Sequence, residues 1–152
     1  MKISFVATVF NEEKTIRVFL DSLYKQTKMP DEIIIVDGGS SDLTVAKIRN
    51  PKSHRDLWSE IRNRNIKLRV YVLPKSSIAA ARNYGIKKAS GNIIVCSDAG
   101  CVLNKEWIEN ITKPFKDKSI DVVAGYYKGK PKSVFEKCLI PYVLVSKQWG
   151  NL

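Results

Sequence analysis

The residues of this sequence that could bind a ligand share one location, the polar stretch that follows a run of apolar residues. Three such runs end at Val9, Val36 and Cys96, and an arginine on a predicted helix faces the same edge. The candidates are Phe10, Asn11, Glu12, Asp37, Gly39, Ser40, Arg82, Asp98 and Gly100. In an open α/β sheet, ligands bind in the crevice outside the carboxyl ends of the strands. The spacing therefore predicts that these residues meet in one site.

Together these side chains suit a nucleoside diphosphate. A carboxylate can accept a hydrogen bond from a base imide, an aromatic ring can stack on the base, and an arginine can bind phosphate through two parallel hydrogen bonds. The Gly/Ser turn at residues 38–42 opens a helix and is a good place to hold an anion, although the GxGxxG dinucleotide fingerprint is absent. The residues predict a nucleotide-diphosphate pocket. For Asp98 alone, the alternative is that it caps the helix beginning near Lys105.

Short apolar runs predict the strands of a parallel sheet. They lie at 3–9, 32–36, 67–73, 93–96 and 121–127, and the run at 93–96 is expected to be buried on both faces. Helices are expected from an N-cap at Asn11 to about residue 25, at 43–49, at 56–62, at 78–89 after a cap at Ser76-Ser77, and at 106–115 with an interruption near Pro114. This alternation predicts an α/β fold, a doubly wound and mainly parallel sheet with helices on both faces in a Rossmann-like three-layer sandwich.

The length and the cysteines set further bounds. At 152 residues the chain is expected to form one domain with its own core. Three cysteines are too few, and of the wrong parity, for a disulfide framework, which favours a reducing compartment. The sequence starts without a secretory signal, and no apolar run reaches the roughly 18–20 residues that span a bilayer. We therefore expect a cytoplasmic protein, with its single histidine, His54, exposed in a polar loop.

The formal net charge of +11 indicates either an anionic partner or a lysine-rich solvated surface. The lysines are spread along the chain and are not interleaved with aromatic residues, so no specific nucleic-acid site is expected. An anionic membrane surface is compatible with this charge. It would place the protein peripherally at the cytoplasmic face of the membrane.

Four short motifs follow one another along the chain. They are VFNE at 9–12, IVDGGSSDLT at 35–44, AARNYG at 80–85 with ASG at 89–91, and SDAG at 97–100. In this order they resemble the N-E, V-D-D/G-G-S, A-R-N-x-G and D-x-D segments of the inverting, GT-A-fold glycosyltransferases of family 2. The resemblance runs from about Met1 to Tyr127 and covers the nucleotide-sugar-binding N-terminal part of that family. Any one motif is a weak signal, whereas four in order are a strong one.

The resemblance implies a role for each matching residue. Thr8 and Phe10 would border the base of a nucleotide-diphosphate sugar, and Glu12 and Asp37 would bind its ribose or base. Arg82 would meet the diphosphate or the base. Asp98 would bind the ribose or a divalent cation, Mg²⁺ or Mn²⁺, both of which suit carboxylate and phosphate oxygens. The family implies transfer of a hexose from this donor to an acceptor, which is a lipid, a saccharide or a protein.

The sequence departs from the family pattern at two points. The second Asp of D-x-D is Gly100 here, so a metal would depend on Asp98 with phosphates and water. In addition, none of Glu109, Asp117, Asp121 and Glu136 fits the motif of the family's general base, which inverting transfer needs. The chain is therefore expected to be the donor-binding part without the acceptor side. The alternatives are a nucleotide-sugar binding module without turnover and a basic protein that binds nucleic acid or anionic lipid.

The segment 134–152 is too apolar for a free tail, because residues 134–149 include Phe135, Leu139 and Trp149. It is expected to pack on a second copy of the protein, giving a homodimer, or on an anionic membrane. The alternative is that it folds back on its own sheet as a core helix.

Overall fold

A computed structural model of the protein describes residues 1–50, 59, 63, 65–129, 131 and 133–143, with the side chains of 140–143 left out. Of the helix expected at 56–62 only residue 59 is described, and it is helical; the rest of that helix and the exposed position expected for His54 fall outside this description. Residues 1–112 and 113–152 form two compact units, and each is described by itself. The expectation of a single domain over 1–152 stays a prediction.

The first unit is built on a four-stranded sheet in which every neighbouring pair of strands is parallel. The strands are β1 (Ile3–Val9), β2 (Glu32–Asp37), β3 (Lys67–Val72) and β4 (Ile93–Asp98), in the order β3-β2-β1-β4. In this register Val9 pairs with Asp37 and Thr8 pairs with Asp98. The two aspartates therefore end the strands on either side of β1. The predicted parallel α/β sheet is confirmed.

Helices cover both faces of the sheet. They are α1 (Ile16–Tyr24), α2 (Thr44–Arg49), α3 (Ile78–Lys88) and α4 (Trp107–Thr112). On one face Val6, Ile34 and Val36 pack with Ala81 of α3. On the other face the ring of Phe5 lies 6.2 Å from Phe19 of α1 and 6.4 Å from Trp107 of α4, measured between ring centroids. The result is the expected three-layer arrangement.

A glycine sets the close approach of α3 to the sheet. A Cβ at Gly85 would lie 2.5 Å from Cγ1 of Val6 and 3.2 Å from Cγ2 of Val36, both on buried strands. No side chain fits in that space unless the helix moves away from the sheet. Ser77 begins α3 as expected, since its side chain accepts a hydrogen bond from the amide of Ala80. The position of α3 matters because it carries Arg82.

Strand β4 is buried on only one face, so the expectation of burial on both faces is wrong. Ile93 and Val95 are buried, whereas Ile94 is 38% exposed and Cys96 is also exposed. The exposed pair lies on the same face of the sheet as Val6, because Cys96 is its register partner. Helix α3 packs over β1 and β2 on that face. This leaves the β4 side open.

Two other expectations are wrong. Helix α1 begins at Ile16 after Thr15, and Asn11 is not its N-cap but has a φ of +51° in the preceding loop. Residues 121–127 form no strand: they are irregular, and Val122 is 83% exposed. A strand needs a hydrogen-bonded neighbour, and the sheet of the described residues has none for this segment. The apolar composition alone was misleading there.

The second unit contains a 3₁₀ helix, Lys113–Lys116, and helix α5, Val134–Val143. The 3₁₀ helix includes Pro114 and ends the helical stretch begun by α4, which confirms the expected interruption. Val134 and Phe135 at the start of α5 are 76% and 73% exposed. Among the described residues, no helix has both the length and the apolar character needed to cross a membrane. The part of the predicted apolar segment after residue 143 lies outside the description.

A buried carboxylate lies at the opposite end of the strands, at the first residue of β2, and it was not among the predicted functional residues. Glu32, 1% exposed, accepts hydrogen bonds from Ser4 Oγ at 2.6 Å and from the amide and hydroxyl of Ser90 at 2.6 and 2.8 Å, and it pairs with Arg69. Burial raises the pKa of Glu32, but these hydrogen bonds more than offset it and lower the pKa to about 2. The group links β1, β2, β3 and the loop before β4.

Candidate functional site

The loop after β2 is organised by Asp37, which is fully buried. Its Oδ2 accepts hydrogen bonds from the amides of Gly39 at 3.0 Å and Ser40 at 2.9 Å, and its Oδ1 accepts one from Ser40 Oγ at 2.5 Å. Gly39 has a φ of +97°, and a Cβ there would lie 2.9 Å from Cα of Pro74. Both observations make glycine the fitting residue at position 39. Asp37 thus holds the shape of the loop, and its carboxylate is already occupied by local donors.

The loop after β1 is clamped to the loop after β2 by Asn11. The backbone amide of Asn11 donates a hydrogen bond to Ser40 Oγ at 2.8 Å, and the side-chain oxygen Oδ1 accepts one from the backbone amide of Ser41 at 2.9 Å. Asparagine tolerates the left-handed backbone found at this position better than most residues do. The side chain that looked like a helix cap therefore joins two loops of the sheet edge.

Glu12 is fixed by its backbone and by its side chain. Its amide donates to Thr44 Oγ1 at 2.8 Å, and Thr44 Oγ1 donates in turn to Asp42 Oδ1 at 2.5 Å. Its carbonyl accepts from the amides of Thr15 and Ile16 at the start of α1. The Oε2 atom of its carboxylate accepts a hydrogen bond from Thr15 Oγ1. Glu12 is thus held at the edge of the sheet before any ligand arrives.

Asp98 meets Arg82 and Thr8 at the ends of β4 and β1. The guanidinium NH2 of Arg82 lies 2.5 Å from Asp98 Oδ1, and Thr8 Oγ1 donates to the same oxygen at 3.3 Å. The side chains of Arg82 and Asp98 are 36% and 49% exposed. An ion pair this open to water contributes about 0–1 kcal/mol, so a ligand with its own charges can replace it at little cost.

Phe10 and Gly100 complete the edge. Phe10 is 56% exposed, and its ring lies against the backbone of Gly38, where a Cβ would be 3.5 Å from its Cδ2. An exposed aromatic ring held on one side offers the other side for stacking. Gly100 lies next to Glu12, whose Oε1 is 3.7 Å from the position of a Cβ at residue 100.

The structure therefore brings the predicted residues to the same strand ends. One group consists of Thr8, Arg82 and Asp98. A second lies in the two joined loops and consists of Asn11, Asp37, Gly39 and Ser40. Glu12, Gly100 and Phe10 lie beside these two groups. The predicted site residues did not include Thr15, Ser41, Asp42 and Thr44, which position these loops. A signal was available, because short polar residues that follow a strand favour side-chain to backbone hydrogen bonds.

Among the described residues, no metal cluster is evident, and two of the acidic residues considered as a base are already hydrogen-bonded. In the part of the chain that the structure describes, no three metal-binding side chains cluster together. Of the acidic residues considered as a base, Glu109 accepts a hydrogen bond from Thr27 Oγ1 at 2.7 Å. Asp117 accepts from the amide and hydroxyl of Ser119, and these bonds lower the pKa of Asp117. A lowered pKa makes a carboxylate a weaker proton acceptor.

Comparison with known families and proteins gives a consistent result. The family described as Glycosyl transferase family 2 matches residues 4–139. Among curated proteins, Glycosyltransferase GlyA of Streptococcus pneumoniae serotype 4 is 29% identical over 128 residues, which are 83% of this chain and 17% of GlyA. The chain thus spans less than a fifth of that relative.

Solved structures give the same picture of the fold. Staphylococcus aureus TarS 1-349 in complex with UDP-GlcNAc has a TM-score of 0.58 at 27% identity, over 89% of this chain and 38% of that one. The mannosyltransferase PcManGT from Pyrobaculum calidifontis, in complex with GDP-Man and Mn²⁺, has a TM-score of 0.53 at 27% identity, over 65% of this chain and 27% of that one. The chain has the GT-A-like α/β fold and covers less than half of each relative.

Proposed function

The chain belongs to glycosyl transferase family 2, and from this membership we propose that its sheet edge binds a nucleotide-diphosphate sugar for transfer of the sugar. The observation that carries the proposal is the open ion pair of Arg82 and Asp98 beside Thr8. Because this exposed ion pair contributes little free energy, Arg82 can exchange it for a diphosphate and Asp98 for a ribose at little cost. The complex of TarS with UDP-GlcNAc supports this class of ligand.

Each part of the donor has a candidate partner at this edge. Phe10 offers its exposed ring to the base, and Arg82 offers its guanidinium to the diphosphate. Among the described residues, the carboxylate of Asp98 is hydrogen-bonded only through Oδ1, so its Oδ2 can bind a ribose hydroxyl or a cation. We propose that Asp37 acts through the loop 38–40, because its own oxygens already bind the amides of that loop.

A divalent cation fits the chemistry of this edge, since carboxylate and phosphate oxygens are ligands that Mg²⁺ and Mn²⁺ prefer. We propose Asp98 as a residue that holds it. When bound, such a cation neutralises charge on the departing nucleoside diphosphate. PcManGT, bound to GDP-Man and Mn²⁺, supports the choice of metal.

We propose that this chain supplies the donor-binding part of an inverting hexosyltransferase and that the acceptor is bound elsewhere. None of Glu109, Asp117, Asp121 and Glu136 fits the motif of the family's general base. A binding module without turnover is the second candidate, and the same observation favours it. The net charge of +11 and a set of three cysteines, too few for a disulfide framework, support a place at the cytoplasmic face of an anionic membrane.

Calorimetry with UDP-GlcNAc, GDP-mannose and a CDP-sugar, each with and without Mn²⁺, tests the donor site. We expect one of them to bind and Asp98→Asn to weaken that binding, since losing a charge-assisted hydrogen bond costs about 1.5–3 kcal/mol. Asp31→Asn, at the other end of the sheet, is the control for lost charge. Binding by none of the donors, or equal effects of the two variants, contradicts the proposal.

Release of nucleoside diphosphate separates the two candidate functions. Sugar-dependent release in the presence of an acceptor extract indicates transfer. Donor binding without release indicates a binding module.

A further inference from the structure

Residue 100 is a glycine for which the structure shows no steric reason. Its backbone lies outside the left-handed region, where glycine is favoured. A Cβ built on it meets a single neighbour, Oε1 of Glu12 at 3.7 Å, and otherwise points into open space. A larger residue would therefore fit at position 100. The one group that its side chain would meet is the carboxylate of Glu12, and we expect the reason for the glycine to lie there.

The neighbour is a carboxylate that is held in place. Thr15 Oγ1 binds Oε2 of Glu12, and Thr44 Oγ1 binds its amide, so that Oε1 is directed at the turn of residues 98–101. That turn is closed by a hydrogen bond from the amide of Cys101 to the carbonyl of Asp98 at 3.3 Å. Among the described residues, Oε1 has no hydrogen-bond donor, and no cation pairs with Glu12.

We infer that Glu12 supplies the second carboxylate of the cation site, at the place where an acidic side chain on residue 100 would begin. The inference rests on the proposed function and goes beyond it, because the sequence alone leaves Asp98 as the only acidic residue of the turn. Two carboxylates with diphosphate oxygens are a usual ligand set for Mg²⁺ and Mn²⁺. Glu12 reaches the turn from the loop after β1, whereas Asp98 ends β4.

The second carboxylate of the cation site can then come either from residue 12 or from residue 100, but not from both. The Cβ of an aspartate at residue 100 would lie 3.7 Å from Glu12 Oε1. Its carboxylate would then be close to that of Glu12, and the two like charges would repel each other. Once the Glu12 charge is removed, the same aspartate has room and a favourable place. Glu12→Gln should weaken cation binding, and Gly100→Asp added to Glu12→Gln should restore it.

The test measures Mn²⁺ binding directly, by the electron paramagnetic resonance signal of free Mn²⁺. The whole chain is titrated with Mn²⁺ alone and with Mn²⁺ plus the nucleotide sugar that calorimetry selects. The variants are Glu12→Gln, the double variant Glu12→Gln/Gly100→Asp, and Glu13→Gln. Glu13 is the matched control, since it neighbours Glu12, carries the same charge and binds the amide of Leu43. Circular dichroism and thermal unfolding establish that each variant is folded.

We expect Glu12→Gln to weaken Mn²⁺ binding on the order of tenfold or more, Glu13→Gln to leave it unchanged, and the double variant to recover most of the loss. Equal Mn²⁺ binding by wild type and Glu12→Gln overturns the inference, as do equal losses in Glu12→Gln and Glu13→Gln. A folded double variant without recovery also overturns it.

The outcome also separates this inference from the proposed function. If the wild type binds a nucleotide sugar and its Mn²⁺ binding is absent or independent of Glu12, only the inference fails. If it binds neither ligand, the proposed function fails as well.

Discussion

The buried carboxylate of Glu32 provides a quantitative test of the fold. Glu32 accepts three hydrogen bonds from Ser4 and Ser90 and pairs with Arg69, which join the sheet to the loop before β4. The perturbation is Glu32→Gln, which keeps the size of the side chain and removes its charge. Because Arg69 then loses its partner, we expect the variant to be less stable at neutral pH.

The magnitude follows from the pKa. In the folded chain the pKa of Glu32 falls from its ordinary value of 4.5 to about 2. Each pKa unit is worth about 1.4 kcal/mol, so the ionised carboxylate contributes about 3 kcal/mol to the free energy of unfolding at neutral pH. A group with a lowered pKa gives this stability above the pKa of the unfolded chain. The contribution is therefore lost as the pH falls from about 4.5 towards 2.

Urea unfolding, followed by circular dichroism between pH 7 and pH 3, checks this prediction. We expect Glu32→Gln to lose about 3 kcal/mol at pH 7 and the gap to the wild type to narrow steadily below pH 4.5. Glu106→Gln, at an exposed position, is the control and should stay close to the wild type throughout. A constant gap between wild type and Glu32→Gln down to pH 3 would refute the reasoning.

Three further predictions concern the loops, the packing and the second unit. Asp37→Asn should stay folded but weaken donor binding on the order of tenfold, since the amide of Gly39 loses a charged acceptor; unchanged affinity in calorimetry removes Asp37 from the account. Gly85→Ala should cost about 1–3 kcal/mol in urea unfolding, because its Cβ would lie 2.5 Å from Val6; a neutral result contradicts the close contact. The protein should bind phosphatidylglycerol vesicles through α5 and float with them in a density gradient; Phe135→Glu should abolish this binding, whereas Lys137→Gln should not. A wild-type protein that does not float with the vesicles contradicts membrane binding through α5.

Four of the five predicted strands and their shared edge are confirmed, because both depend on local patterns. The apolar runs at 3–9, 32–36 and 67–73 differ from the observed strands by at most a residue at one end. Parallel strands that alternate with helices leave their carboxyl ends together. For this reason Asp37, Arg82 and Asp98 were expected at one edge, whereas Thr8 was expected there only from the family resemblance.

The rest depended on partners that are distant in sequence. Asn11 has the side chain of a helix cap, but its acceptor oxygen binds Ser41, 30 residues away. Glu32 looked like the first residue of a strand, whereas its partner Ser90 lies 58 residues further on. The open face of β4 follows from the position of α3 over other strands. No local pattern contains this information.

The central claim is that a nucleotide-diphosphate sugar binds at the carboxyl edge of the sheet, between the loops after β1, β2 and β4. Amide chemical shifts measured by nuclear magnetic resonance locate the ligand most directly, when the ¹⁵N-labelled chain is titrated with the sugar nucleotide chosen by calorimetry. We expect the largest shifts at the amides of Gly39, Ser40 and Ala99. Shifts confined to the opposite edge, at Ser90 and Gly91, would contradict the claim.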